Sequence, residues 1–132
     1  RLDPATGQVG WLARLGGDRW DSLIAVTLTA DGIWVAGRTT GAVDAPSAAP
    51  SRGSGAALVA RLGRDGRPGP AWTFGGRESA KARGLAPARG GGVWVTGNFT
   101  AELRAGWFRL RGRHAYDGFV LRVAPPAARA GE

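Results

Sequence analysis

Ile33-Trp34-Val35-Ala36-Gly37-Arg38-Thr39-Thr40 and Val93-Trp94-Val95-Thr96-Gly97-Asn98-Phe99-Thr100 are two copies of one pattern in a chain of 132 residues. A Gly-Gly pair stands ahead of each copy, Gly16-Gly17 and Gly75-Gly76. Behind each comes a short apolar run with a basic residue before its last aliphatic one: Leu58-Val59-Ala60-Arg61-Leu62 and Phe119-Val120-Leu121-Arg122-Val123. The three landmarks are offset by 59, 60 and 61 residues, so a single period runs through the chain. A period of this kind marks repeated supersecondary units. The shared positions (Gly16, Gly17, Trp34, Gly37, Gly75, Gly76, Trp94 and Gly97) are residues of turns and packing rather than of chemistry.

Short apolar runs bounded by turn residues read as strands. They fall near 11–15, 22–29, 32–39 and 56–62 in the first unit and near 71–74, 83–87, 92–100 and 117–123 in the second. Asp31-Gly32, Asp65-Gly66 and Gly90-Gly91-Gly92 supply the turn chemistry. No stretch sustains a 3.6-residue period. Leu23-Ile24-Ala25-Val26 and Ile33-Trp34-Val35-Ala36 are apolar on both parities, which predicts strands covered on both faces. Stacked four-stranded antiparallel sheets meet that demand. The expectation is therefore an all-β, propeller-type chain of two four-stranded antiparallel blades, with Trp34 and Trp94 filling the gaps between sheets. A β-sandwich is the competing architecture.

Composition sets the outer bounds. Apolar residues make up 43% of the chain, enough for a core, while 23 Gly and 8 Pro argue against a helical protein. Without cysteine there is no disulfide framework and no thiolate chemistry. No apolar run is long enough for a transmembrane helix. The net charge of +8 comes from seventeen Arg and the single Lys81. Arginines scattered along the chain fit a codon bias toward Arg better than a nucleic-acid footprint, so nucleic acid is disfavoured as a partner.

The order of these landmarks resembles the bacterial β-propeller repeat proteins of the SBBP type. Their unit runs from Trp through Phe-Gly-Gly to aromatic-Val-x-Gly and then to Gly-x-Asp-x-Phe-Val-x-basic-Leu. The match extends twice along the chain, from Arg1-Leu2-Asp3-Pro4-Ala5-Thr6-Gly7 through Val123. Asp117, before the Phe-Val of the second unit, is Ala56 in the first. Asp21 has Ala80 or Lys81 opposite it. The aspartates therefore read as turn and strand-end residues rather than as a repeated ligand set. The resemblance implies an exported or cell-envelope bacterial protein using its blades as a scaffold or binding surface. It implies further blades as partners, in a longer chain or by self-association. A start at Arg1 without Met, at what looks like the tail of a strand, suggests a fragment. The organisation expected is the end of a preceding unit and a first strand over 1–17, repeat units over 11–62 and 63–123, and a flexible Pro/Ala-rich tail over 124–132.

Residues able to carry chemistry are few. His114 is the lone histidine, no serine sits in a nucleophile elbow, and the aspartates lie mostly at turns. No catalytic set, metal site or cofactor site is expected. The units disagree between their third and fourth strands. The first carries Pro, Ser and Ala there, and the second carries Trp107-Phe108-Arg109-Leu110-Arg111-Gly112-Arg113-His114. As a strand, this second segment points Arg109, Arg111 and Arg113 to one side and Phe108 and Leu110 to the other. Arg109, Arg111, Arg113 and His114 are thus the candidate anion-binding residues. The function expected is a non-enzymatic binding or scaffold repeat protein of the bacterial cell envelope or exterior. Two alternatives stand beside it: a polyanion-binding module (acidic polysaccharide or nucleic acid) acting through the Arg-rich strand, and a non-catalytic fragment of a larger propeller enzyme.

Overall fold

Nine strands follow one another in the computed structural model, which describes residues 1–43, 54–113 and 115–124. β1 (Asp21–Thr29), β2 (Gly32–Thr39), β3 (Ala56–Leu62) and β4 (Pro68–Phe74) form one antiparallel sheet in that order. β5 (Ala80–Pro87), β6 (Val93–Phe99) and β9 (Asp117–Val123) form a second, and β7 (Glu102–Ala105) and β8 (Phe108–Arg111) form a hairpin.

The period seen in the sequence is a period in the backbone. β1 carries a bulge between Leu23 and Ala25, and β5 carries one between Ala82 and Gly84. Thr40 accepts from the Trp20 amide at 3.0 Å and gives its own amide to the Trp20 carbonyl at 3.0 Å. Thr100 repeats the clasp on Ser79, at 3.1 and 2.9 Å. The register is shared as well: Val35 faces Ala60 across β2–β3, as Val95 faces Leu121 across β6–β9.

The sheets nevertheless correct the propeller expectation. β4 belongs by period to the second unit, yet it folds back through the Gly63–Arg67 turn onto β3 and completes the first sheet. The second sheet is left with three strands. Residues 11–15 form no strand; Ala13 and Leu15 pack instead against Leu58, Ala60 and Ala71 on the back of the first sheet. The architecture is therefore three open antiparallel sheets of four, three and two strands packed on one another, a sandwich-like arrangement. Among the described residues two four-stranded blades do not form, and no sheet closes or curls into a ring.

One layer of core joins the two larger sheets. Trp34, Ala36, Ala57 and Val59 from the first sheet meet Ala80, Ala82, Val93, Val95, Phe99, Phe119 and Val123 from the second. The face of the first sheet that carries Trp34 thus meets the face of the second that does not carry Trp94. This stacking accounts for two further corrections. Trp34 is fully buried, but Trp94 is 46% exposed and fills no gap between sheets. β1 is an edge strand, and Leu23, Ile24, Val26 and Leu28 are all substantially exposed rather than covered on both faces.

Candidate functional site

The two units hold their tryptophans differently, and the difference starts at one turn. In the first unit the Trp34 indole donates to Thr29 Oγ1 at 3.1 Å and to Asp31 Oδ1 at 3.4 Å. The Thr29 hydroxyl donates to Asp31, and Arg61 reaches Asp31 Oδ2 at 3.2 Å. The Thr29 hydroxyl holds the Asp31 carboxyl below its ordinary range; the Trp34 and Arg61 donors add to this and burial opposes it. A depressed folded-state pKa gives stability that is present above the unfolded value, near 4, and lost as pH falls through the folded value. Asp31→Ala should therefore cost about 1.5–3 kcal/mol at neutral pH, the range for a hydrogen bond to a charged group. Thermal melts at pH 7 and pH 2.5 check this. The gap between wild type and variant should narrow at the lower pH.

In the second unit Thr29 is replaced by Arg89, and Asp31 by Gly91. Arg122, the counterpart of Arg61, donates to the carbonyls of Arg89 at 3.3 Å and Gly91 at 3.1 Å. Among the described residues no carboxylate pairs with it. Trp72 of β4 stacks on Trp34, with ring centroids 5.5 Å apart and planes 12° from parallel. β9, the counterpart of β3, has no strand on its outer edge, and Trp94 has no stacking partner among the described residues.

The hairpin β7–β8 rises beside this open edge. Gly106 sits at the first central position of its two-residue turn with φ +58°, as a type II′ turn requires. Cross-strand pairing puts Glu102 opposite Arg111 and Arg104 opposite Arg109 on one face, with Leu103, Ala105, Phe108 and Leu110 on the other. Glu102 is the buried centre of the polar face: Arg104 Nε lies 2.5 Å and Arg109 Nε 2.7 Å from its Oε1. Arg104 first and Arg109 second hold the Glu102 carboxyl below its usual range. Of the residues proposed from sequence, Arg109 and Arg111 share this face. Arg113 lies past the strand, where its amide donates to Asp117 at 2.8 Å, and His114 lies outside the described residues. Most of the Pro/Ser/Ala loop of the first unit also lies outside them. The sequence reading missed Glu102 and Arg104, although the alternation Glu102-Leu103-Arg104 was there to show a strand.

The apolar face of the hairpin overlooks a groove of about 630 Å³. Trp72 and Phe74 of β4, Trp94, Trp107 and Phe108 at the hairpin tip, and the β9 edge line it. Phe119 through Ala124 line it consecutively, so the groove runs along the edge of β9 rather than across one of its faces. Trp107 is fully exposed and Phe108 is 77% exposed.

Compared with protein-family models, curated proteins and solved structures, the chain matches none. The likeness to SBBP-type propeller repeats therefore finds no support in homology, and the open sheets contradict it. With it go the propeller scaffold as a function and further propeller blades as partners. The grounds given for a cell-envelope setting go with it too. Binding of acidic polysaccharide likewise finds no support. Among the described residues no helix is long and apolar enough to cross a membrane, and no group of three or more His, Cys, Asp or Glu could hold a metal ion.

Proposed function

We propose that this domain is a non-covalent binding module whose ligand surface is the aromatic groove between the β7–β8 hairpin and β9. One observation carries the reading. Two large aromatic side chains, Trp107 and Phe108, stand in water at the mouth of an apolar groove, where folding alone gives them no reason to be. The proposal includes no reaction. Asp3, Asp21 and Asp65 accept hydrogen bonds from backbone amides of neighbouring residues, a turn role that leaves them unassembled for acid–base work. Titration with an apolar fluorescent dye tests the reading. Replacing Trp107 and Phe108 together by alanine should weaken dye binding about tenfold, the scale of losing an interface anchor. The melting temperature should hardly change, because both side chains are exposed. Unaltered dye affinity would remove the groove as the ligand surface.

A second reading, a polyanion site on the opposite face of the hairpin, draws on a separate observation. Arg77, Arg109 and Arg111 border a shallow recess around Glu102. As the site stands, Glu102 occupies Arg104 and Arg109, so much of the charge is already neutralised within the protein. Glu102→Gln should free both guanidiniums and raise affinity for tripolyphosphate at least about threefold at low salt. Calorimetric titration measures the change. An equal or lower affinity in a variant that still melts cooperatively would discard this second reading.

A further inference from the structure

The chain contains its own template for what belongs on the edge of β9. β3 and β9 are equivalent strands, each paired on one side with its unit's Trp-bearing strand in the same register. On the other side β3 holds β4, with Trp72 opposite Val59 and Phe74 opposite Ala57. Carried over to the second sheet, that register places an aromatic residue opposite Val120 and another opposite Gly118. Three features of the second unit are what β4 and the Asp31 turn satisfy in the first. Among the described residues the β9 edge has no paired strand, half-exposed Trp94 has no stacked ring, and the Arg122 guanidinium meets carbonyls where Arg61 meets a carboxylate.

Resting on the groove reading above, we infer that β9 takes up an extended peptide as an added antiparallel strand of the form acid-x-Trp-x-aromatic. Backbone amides and carbonyls of β9 supply the ladder, and alternate side chains supply specificity. The peptide's tryptophan stacks on Trp94 as Trp72 stacks on Trp34. Its acid, two residues earlier and opposite Arg122, supplies the carboxylate that Asp31 gives to Arg61. That charge match, within a chain of net charge +8, is what assigns an acidic aromatic peptide rather than a purely apolar one.

A labelled twelve-residue peptide centred on Glu-Thr-Trp-Thr-Phe, titrated against the full chain and followed by anisotropy, tests this. Glu→Gln in the peptide, Arg122→Gln in the protein and Trp94→Ala in the protein should each weaken binding about tenfold. Backbone amides of β9 should gain protection from hydrogen exchange on binding. A scrambled peptide that binds equally well, or protection that appears on β1 instead, overturns the inference. So does a doubled solution mass of the free chain that Trp94→Ala abolishes, because a second copy then holds the edge. If the apolar dye binds but the peptide does not, strand addition fails while the groove reading stands. If neither binds, both fall.

Discussion

Trp34→Ala is expected to cost about 3–5 kcal/mol, and Trp94→Ala, at the matching repeat position, about 1 kcal/mol or less. The first substitution empties a fully buried site between two sheets, strips Trp72 of its stacked partner and takes a donor from Asp31 and Thr29. The second removes a half-exposed ring with open groove beside it. Small domains are stable by only about 5–15 kcal/mol, so Trp34→Ala should leave little margin at room temperature. Urea denaturation of the two variants with wild type gives both numbers. Similar costs would contradict the sheet stacking, since they would require Trp94 to be covered in solution.

That asymmetry also shows how far the residues alone could be read. Strand positions follow from local pattern: β2, β3 and β9 lie where short apolar runs and flanking turn residues place them. The repeat was legible for the same reason, because the Gly-Gly pairs, the Trp-Val-x-Gly runs and the basic-aliphatic strand ends are short local patterns. Pairing between strands is not local. The Gly63–Arg67 turn joins β4 to β3 and moves a whole strand from one sheet to the other; Asp65-Gly66 marks the turn in the sequence but not the sheet that the next strand joins. Nor does a Trp-Val pair reveal which face a neighbouring sheet covers. Trp34 and Trp94 sit in matching sequence runs but differ in the turn residues that hold the indole and in what stacks above them. The groove was invisible for a related reason: it lies along a strand edge that has no partner among the described residues. The arginines of β8 stand out in the sequence, but their partner Glu102 comes from the other arm of the hairpin. What looked like a row of free positive charge is in part an internal ion-pair cluster.

Gly37→Ala and Gly97→Ala should each destabilise the fold by at least about 3 kcal/mol, the upper range for forced overpacking. Neither glycine has a positive φ, so the demand is for space rather than for conformational freedom. A Cβ at Gly37 would lie 1.8 Å from the Ser22 carbonyl oxygen, and one at Gly97 would lie 2.0 Å from the Lys81 carbonyl oxygen and 2.7 Å from the Phe119 ring. Both carbonyls come from the bulged strand, one or two residues before its register shift. A backbone carbonyl in a paired strand cannot retreat without breaking ladder hydrogen bonds, whereas a long side chain could simply turn aside. Gly10→Ala is the control: its Cβ would meet only the Arg1 carbonyl oxygen at 3.7 Å, an ordinary contact, so the cost should stay within about 0.5 kcal/mol. Chemical denaturation of the three variants separates the cases. If Gly37→Ala proved as stable as Gly10→Ala, the carbonyl-over-glycine packing would be wrong, and with it the structural basis of the repeat.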